Sequence, residues 1–257
     1  MPDLKIHQFS CLSDNFGVLI HDPGSGMTGS IDAPEEAAVD QALKETGWAL
    51  SHILVTHYHG DHTQGIAGLK QTHGATVIGP AGEADKIPTL DRTVSDGDSF
   101  AFGGFTVEAI ATPGHTLGQI NYYLPEAAVA FTGDTLFALG CGRVFEGSHA
   151  MMWQSLDTLR TRLPDETAIY CGHEYTLANG RFALTVDPHN AALRDRMAEI
   201  EALREAGKPT LPTTMAKERA TNPFLRPEDP AIQATLGMAG AAPEAVFSEI
   251  RRRKDSF

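Results

Sequence analysis

The sequence is poor in cysteine and has no long apolar run. Its three cysteines, Cys11, Cys141 and Cys171, lie far apart and form no C-x-x-C pair, which argues against a disulfide framework or a zinc knot of thiolates. No apolar stretch approaches the roughly 20 residues that a membrane helix needs, and the opening residues MPDLKIHQFS do not resemble a secretory signal. We therefore expect a cytoplasmic protein that does not bind membranes.

Basic residues are scarce relative to acidic ones. The chain has 20 Lys and Arg against 33 Asp and Glu, which gives a formal charge of −13. Such a surface repels nucleic-acid phosphates and anionic lipids, so we expect a small-molecule partner and no nucleic acid. Nothing in the sequence indicates an obligate protein partner. The length of 257 residues predicts at most two domains, because single cores stop growing near roughly 250 to 300 residues.

The motifs of several enzyme classes are also missing. The sequence contains no G-x-S-x-G elbow, no G-x-x-x-x-G-K-[ST] loop, no G-x-G-x-x-G that leads from a strand into a helix and no H-E-x-x-H helix. Each of these motifs supplies the geometry of one chemistry. Cys171 lies near His173, but a Cys/His nucleophile is the weaker interpretation, because this histidine serves better as a metal ligand.

The hydrophobic pattern predicts a β-rich αβ domain followed by a small helical domain. Adjacent glycines, Gly103 and Gly104, predict a hairpin because a tight turn needs positive φ. Beyond Tyr175 the composition shifts to Ala, Glu, Arg and Leu with helical spacing. We therefore place the domains at 1–173 and 174–257. The predicted elements are strands within 4–32, 52–55, 75–79, 98–112, 119–124, 127–131 and 168–171, and helices at 66–74, 152–163, 190–205 and 245–254.

Histidine is the residue type that the sequence concentrates. Of 11 histidines, three lie with an aspartate in Thr56–His62, directly after a predicted buried strand. His57 and His59 are two residues apart and project to the same side of an extended segment, whereas Asp61 and His62 open the following helix. These four groups can divide between two neighbouring metal ions.

Three further candidate ligands follow apolar strands elsewhere in the sequence, namely His115, Asp134 and His173, each beside a glycine. Loops at one edge of a sheet converge, so we expect all seven side chains to meet. Imidazole and carboxylate ligands without a thiolate suit zinc, and also iron or manganese. Two divalent ions with two aspartates and a bound hydroxide leave a net positive charge. This charge would stabilise a developing oxyanion, which favours hydrolysis.

The T-H-x-H-x-D-H signature at Thr56–His62 and the three later ligands resemble those of the metallo-β-lactamase superfamily. Within it, the chain resembles the glyoxalase II, or hydroxyacylglutathione hydrolase, family over nearly its whole length. The resemblance implies the α+β class, with a four-layer αβ/βα metallo-β-lactamase sandwich and a small C-terminal helical domain that binds glutathione. The stretches that carry it are Gly133–Phe137, Cys141–Arg143, Glu146-Gly147, Gly172–Thr176, Asn222–Arg226 and Arg251–Asp255.

The resemblance implies two divalent metal ions per chain, with zinc preferred over iron or manganese. A hydroxide that bridges them would attack the thioester carbonyl, with Asp61 and Asp134 as the catalytic carboxylates. The implied reaction converts S-(2-hydroxyacyl)glutathione thioesters, such as S-D-lactoylglutathione, to glutathione and a 2-hydroxy acid, as in methylglyoxal detoxification. The implied ligands are His57, His59 and His115 for one ion, Asp61, His62 and His173 for the other, and Asp134 for both.

The same resemblance implies that Arg143, Tyr175, Arg251 and Lys254 contact the glutathione part of the substrate. Glutathione carries two carboxylates, so an acidic protein needs a local cationic patch, and Arg251 and Lys254 at i and i+3 would share a helix face. Phe145 stands where some family members have a tyrosine that contacts glutathione. One hydrogen bond to the substrate would then be missing, which lowers affinity by roughly 0.5 to 1.5 kcal/mol.

Two other functions fit part of this pattern. A glutathione persulfide dioxygenase would use the same fold with a single iron, but the long helical domain and its basic end favour the hydrolase. A non-catalytic metal-binding or nucleic-acid-processing module would share the signature, although the charge of −13 weakens the nucleic-acid version. The ligand set also matches open two-metal sites better than the closed shell of a structural ion.

Overall fold

In the computed structural model, which describes residues 3–257, most of the strands precede most of the helices. Short runs rich in β-branched and aromatic residues alternate with turn residues here, which favours short strands. The strands are β1 (Lys5–Cys11), β2 (Asn15–Asp22), β3 (Met27–Ile31), β4 (His52–Leu54), β5 (Thr76–Pro80), β6 (Arg92–Val94), β7 (Ser99–Phe102), β8 (Phe105–Ala111), β9 (Ile120–Leu124), β10 (Val129–Gly133), β11 (Leu136–Phe137), β12 (Gly140–Cys141), β13 (Ala168–Cys171) and β14 (Thr213–Thr214).

The helices begin at residues that suit helix starts. Ser148 and Asn190 cap two of them by accepting hydrogen bonds from backbone N–H groups, 3.2 Å from N of Met151 and 3.1 Å from N of Leu193. The helices are α1 (Glu36–Thr46), α2 (Gly60–Thr63), α3 (Ile66–His73), α4 (His149–Arg162), α5 (Thr176–Val186), α6 (Ala191–Glu205), α7 (Met215–Thr221), α8 (Pro230–Leu236) and α9 (Pro243–Asp255).

The first sheet fixes the starting point of the histidine-rich loop. Its six strands follow chain order from β1 to β6, with β1, β2 and β3 antiparallel and β3 to β6 parallel. Helices α1 and α3 pack on it through a buried apolar core that includes Leu43, Ile53, Leu69 and Val77. Since β4 pairs with a parallel strand on each side, the loop after it leaves from a rigid sheet edge.

Strands β7, β8, β9 and β10 lie in this order in a second sheet, and each pairs antiparallel with the next. The hairpin between β7 and β8 turns at Gly103, whose φ is +59°, as the adjacent glycines predict. Side chains on β8 alternate, with Phe105, Val107 and Ala109 buried. The last of these strands, β10, ends at Gly133, directly before Asp134.

The structure confirms the α+β class and most of the predicted elements. The helix predicted at 190–205 is α6, and the one at 245–254 is the inner part of α9. Helices α1, α5, α7 and α8 were missed by the sequence analysis. In α1 only Val39, Ala42 and Leu43 are buried, and such a narrow apolar stripe gives a weak periodic signal.

The backbone forms two compact units. One runs to Ala111 and resumes over Leu117–Gly133, and the other comprises Thr112–Thr116 and Asp134–Phe257. The first unit contains β1 to β10 and α1 to α3, and the second contains β11 to β14 and α4 to α9. The predicted domain boundary at residue 173 stays a prediction. Within residues 3–257, no helix has the length and apolar character to cross a membrane.

Candidate metal centre

Four candidate ligands lie on the loop and short helix that follow β4. His57 and His62 are buried, whereas His59 and Asp61 are partly exposed. Asp61 and His62 lie on α2, as predicted. Nε2 of His57 lies 3.1 Å from Nδ1 of His59, and Nε2 of His62 lies 3.7 Å from Oδ2 of Asp61. The loop therefore brings imidazole nitrogens and a carboxylate close together.

Asp32 holds both His62 and the start of this loop. Its buried carboxylate accepts hydrogen bonds of 2.7 Å from Nδ1 of His62, 2.7 Å from the backbone N of Thr56 and 2.8 Å from Oγ1 of Thr56. Because Nδ1 of His62 donates to this carboxylate, Nε2 keeps the lone pair that a metal ligand needs. Asp32 therefore sets the tautomer and the ring orientation of His62.

Two more polar side chains hold the loop. Nδ2 of Asn15 donates to Oδ2 of Asp61 at 3.1 Å and to its carbonyl oxygen at 3.2 Å. Oε2 of the buried Glu83 accepts a hydrogen bond of 2.7 Å from N of Tyr58, the residue between His57 and His59. These contacts reduce the freedom of the ligands before any metal binds.

The other three candidate ligands cluster in the second compact unit. Oδ2 of Asp134 lies 3.5 Å from Nε2 of His115 and 3.3 Å from Nε2 of His173, and all three side chains are buried. Nδ1 of His115 donates to the carbonyl oxygen of Arg143 at 2.8 Å. This hydrogen bond leaves Nε2 of His115 as the unprotonated nitrogen, which is the form that binds a metal.

The seven predicted ligands divide between the two units, and within each unit imidazole nitrogens and carboxylate oxygens lie 3.1 to 3.7 Å apart. Nitrogen and oxygen ligands at this spacing suit divalent cations. The chain therefore contains a site for divalent metal ions. The candidate ligands of the first unit are His57, His59, Asp61 and His62, and those of the second are His115, Asp134 and His173.

A hairpin of β11 and β12 connects Asp134 with Arg143. Gly142 follows its second strand, and a β carbon at this position would lie 1.9 Å from the carbonyl oxygen of Asp134. Only glycine fits this close approach. N of Gly142 also donates to the carbonyl oxygen of Thr135 at 3.1 Å, so the two ends of the hairpin are joined beside a candidate ligand.

Three of the predicted substrate residues lie beside ligands of the second unit. The ring of Phe145 is 60% exposed and meets the ring of His115 edge-on at a centroid distance of 5.2 Å. The ring of Tyr175 stacks on that of His173 at 4.7 Å. The exposed Arg143 places Nε 3.5 Å from Oδ1 of Asp255. An aromatic surface and a cation therefore adjoin the candidate ligands.

Arg251 is buried, although a cationic patch was expected at this helix end. Only 4% of it is exposed. Its Nη1 donates to the carbonyl oxygen of Cys141 at 3.0 Å, and Nε and Nη2 donate to Oδ1 of Asp255 at 3.1 and 2.9 Å. The guanidinium also lies 5.1 Å from the ring centroid of Phe224. These contacts are with the protein, so direct contact of Arg251 with the substrate stays a prediction.

Lys254 is more accessible than Arg251. Its partly exposed side chain places Nζ 5.4 Å from the ring centroids of Phe182 and Phe257 and donates to the carbonyl oxygen of Ala178 at 3.3 Å. Burial, and then the charge of Arg251, lowers the pKa of Lys254 below the usual value of 10.5. An additional carboxylate beside this amine would favour the charged form and raise the pKa again.

Sequence reasoning missed the residues that support the ligands, namely Asp32, Asn15 and Glu83. Asp32 precedes Thr56 by 24 residues and His62 by 30 residues, so no local motif relates them. Its one signal in the sequence is its place directly after an apolar strand, since acidic residues at strand ends often serve sites at a sheet edge.

The three cysteines are buried and poorly reactive. Burial raises the pKa of Cys11 to about 12, that of Cys141 to about 11 and that of Cys171 to about 12. Because the thiolate is the nucleophilic form, Cys171 lacks the acidity of a catalytic thiol. The structure therefore supports the use of His173 as a ligand over a Cys171–His173 nucleophile.

Two protein families match the chain in adjacent segments. Residues 14–173 match the metallo-beta-lactamase superfamily, and residues 174–257 match the family described as the hydroxyacylglutathione hydrolase C-terminus. A solved structure with a similar fold is ETHE1 from Myxococcus xanthus, with a TM-score of 0.67 and 26% identity over 98% of this chain and 99% of that one. The metallo-β-lactamase fold expected from the sequence is thereby confirmed.

Curated relatives narrow the assignment. Hydroxyacylglutathione hydrolase of Brucella anthropi is 59% identical over 100% of this chain and 98% of its own length. The protein of the same name from Rhizobium meliloti is 58% identical over 100% of both chains. The chain therefore belongs, within the metallo-beta-lactamase superfamily, to the hydroxyacylglutathione hydrolase family.

Proposed function

We propose that the chain hydrolyses S-(2-hydroxyacyl)glutathione thioesters, such as S-D-lactoylglutathione, to glutathione and a 2-hydroxy acid in methylglyoxal detoxification. The observation that carries this proposal is the alignment of the chain over 100% of its length with hydroxyacylglutathione hydrolases. The close candidate ligands within each unit support it. A cytoplasmic location stays a prediction from the sequence.

Zinc is the metal that we propose for the site, with two ions per chain. His57, His59 and His115 would hold one ion, Asp61, His62 and His173 the other, and Asp134 both. The Nδ1 hydrogen bonds of His62 and His115 support this assignment, because they leave Nε2 of each ring for a metal. Bound divalent ions supply Lewis-acid chemistry, which lowers the pKa of water to about 7 and stabilises negative charge on a carbonyl oxygen.

The protein's own contribution to the reaction is to hold these groups in a fixed arrangement. Asp32 fixes the ring of His62 and the backbone of Thr56, and Asn15 restrains Asp61. Such restraint removes much of the reorganisation that would otherwise accompany the reaction. Glutathione leaves as a thiolate, a far better leaving group than an amine, so no side chain is required as a general acid.

The cationic side chains of the second unit would bind the glutathione part of the substrate. Arg143 is exposed and Lys254 is partly exposed. These two side chains would donate charge-assisted hydrogen bonds to the glutathione carboxylates. Tyr175 would add a hydroxyl beside His173. We propose the range 1–173 as the catalytic domain and 174–257 as the glutathione-binding domain, a division that the two family matches support.

The test combines an assay with metal analysis. Purified protein should release glutathione from S-D-lactoylglutathione and contain two metal equivalents per chain. Chelation should abolish turnover, and Zn²⁺ should restore it. Asp134→Ala should lose both metal and turnover, because Asp134 lies 3.5 Å and 3.3 Å from ring nitrogens of two other candidate ligands.

Two results would overturn the proposal. One is undiminished thioester hydrolysis by protein freed of metal. The other is consumption of oxygen in the presence of glutathione persulfide without thioester hydrolysis, which would identify a mononuclear iron dioxygenase. An oxygen electrode and metal analysis distinguish these outcomes on the same preparation.

A further inference from the structure

The turn of the β11–β12 hairpin is held by side chains from the helices that follow it in the chain. Leu139 in this turn has a φ of +58°, a left-handed conformation that residues other than glycine seldom adopt. N of Leu139 donates to Oε2 of Glu218 at 2.8 Å, and Nδ2 of Asn179 donates to the carbonyl oxygen of Ala138 at 3.1 Å. Nδ2 of Asn222 donates to the carbonyl oxygen of Gly140 at 2.9 Å.

Glu218 is the central member of this set. It is fully buried, with 0% of its surface exposed. Oε1 accepts from Thr213 at 2.7 Å and pairs with Arg196, while Oε2 accepts from Leu139 and, at 3.0 Å, from Nδ2 of Asn222. Each carboxylate oxygen thus has two hydrogen-bond donors. A glutamine amide would direct its NH₂ group at one pair of these donors.

The side chain of Leu139 anchors the same turn in an apolar core. It packs with Ala183, Leu193, Met197 and Ile200 of α5 and α6, and 0% of it is exposed. The turn is therefore fixed twice, by the carboxylate that receives its backbone N–H and by the core that receives its side chain. Loss of the hydrogen bond from N of Leu139 to Glu218 would remove one of the two contacts that stabilise the left-handed backbone conformation of Leu139.

The base of this hairpin carries the proposed site residues. Asp134 lies two residues before β11, and N of Gly142 donates to the carbonyl oxygen of Thr135. The ring of Phe137 on β11 meets that of His173 edge-on at a centroid distance of 6.0 Å. A shift of the hairpin would therefore move Asp134 and Phe137, and with them the surroundings of His173.

We propose that Glu218 is a positioning residue for the metal site, which acts on Asp134 through Leu139 and the hairpin. The proposal rests on the assignment of Asp134 as a metal ligand. It gives the helical part of the chain a role in metal binding in addition to a role in binding substrate. The pair that the buried Glu218 forms with Arg196 holds the carboxylate in the position in which it accepts from N of Leu139.

The test compares Glu218→Gln with a matched variant, Asp187→Asn. Asp187 is also a buried carboxylate in the second unit, 2% exposed, and pairs with Arg226 and with Nδ2 of Asn190. Asp187→Asn therefore measures the general effect of replacing a buried, paired carboxylate by an amide. We expect Glu218→Gln to lower Zn²⁺ affinity about tenfold, the lower end for residues that orient ligands. We expect a similar fall in kcat on S-D-lactoylglutathione, with KM little changed.

Asp187→Asn should leave Zn²⁺ affinity and kcat at wild-type values, even where its midpoint of chemical unfolding falls as far as that of Glu218→Gln. If Glu218→Gln does not fold, Asn222→Ala tests the same turn, because it removes the donor to Gly140. A folded variant of either kind with wild-type Zn²⁺ affinity and kcat would overturn the proposal. If the wild-type protein does not hydrolyse the thioester, only the proposed function fails, because chelator competition for Zn²⁺ needs no substrate.

Discussion

Oδ2 of Asp32 accepts a hydrogen bond of 2.7 Å from Nδ1 of His62, and both groups are buried. The same carboxylate accepts from the backbone and hydroxyl of Thr56. One acidic side chain outside the T-H-x-H-x-D-H signature therefore fixes the first residue of that signature and the orientation of its last imidazole. Such partners of ligands tune a metal site nearly as strongly as the ligands themselves.

Replacing Asp32 by asparagine should weaken metal binding while every ligand remains. The amide nitrogen cannot accept from His62 or Thr56, so we expect Zn²⁺ affinity to fall by about 10- to 100-fold, measured by chelator competition. Asp22→Asn is the matched control, because the buried Asp22 accepts from the backbone at Gly24 and Gly104 instead. Equal losses of affinity in the two variants would contradict the role of Asp32.

Arg251→Ala should reduce stability as well as substrate binding. The buried guanidinium donates hydrogen bonds to the carbonyl oxygen of Cys141 and to Oδ1 of Asp255. Loss of such charged hydrogen bonds costs about 1.5 to 3 kcal/mol. We expect this decrease in the free energy of unfolding by chemical denaturation, together with a higher KM. Arg252→Ala, at an exposed arginine of the same helix, should change neither quantity. An unchanged unfolding midpoint for Arg251→Ala would show that Arg251 is not structural.

Substrate binding should weaken at alkaline pH because of Lys254. Its pKa is lowered from 10.5 by burial and then by Arg251, so the cation is lost as the pH rises through this lowered value. As the pH is increased, KM should begin to rise at a pH lower than 10.5, while kcat stays nearly constant. Both constants are corrected for spontaneous thioester hydrolysis. Lys254→Arg keeps its charge in this range and should remove the rise. A rise of the same size in Lys254→Arg would assign it to another group.

The same pKa shift predicts how stability depends on pH. Between the lowered pKa and 10.5 the unfolded chain binds more protons at Lys254 than the folded chain does. The contribution of Lys254 to stability should therefore increase with pH in this window. Chemical denaturation of the wild-type protein and of Lys254→Met across the window would measure it, and identical pH profiles for the two proteins would contradict the prediction.

Phe145→Tyr should increase affinity for the substrate. The exposed ring of Phe145 lies beside His115, so a hydroxyl there would reach solvent or a bound peptide. One added hydrogen bond of about 0.5 to 1.5 kcal/mol corresponds to a KM lower by about two- to tenfold. Phe257→Tyr, at another exposed phenylalanine, should leave KM unchanged. If both variants bind the substrate equally well, Phe145 does not contact it.

The sequence was sufficient to predict the fold class and to place the candidate ligands in segments that follow strands, because these strands have a clear apolar pattern. Asp61 and His62 on α2 illustrate this. The sequence was not sufficient to predict the role of Asp32, because its partner His62 lies 30 residues away in the chain. The pairing of β3 with β4 brings them together, and sequence spacing does not encode that pairing.

Arg251 illustrates a different limit. A basic helix end indicates a cationic surface, and the same composition also fits a guanidinium that is turned inward. The structure shows the second arrangement, since Cys141 lies 110 residues away in sequence and its carbonyl oxygen accepts from Arg251. Burial of a charged side chain depends on such distant partners, which composition and periodicity do not reveal.

The burial of all three thiols has a consequence for a protein that releases glutathione. With pKa values of about 11 to 12, these thiols form roughly several hundred to a few thousand times less thiolate than a free cysteine at neutral pH. Mixed disulfides with oxidised glutathione would therefore form slowly. The thiols of the protein should then stay reduced in the presence of both the glutathione that it is proposed to release and the oxidised form.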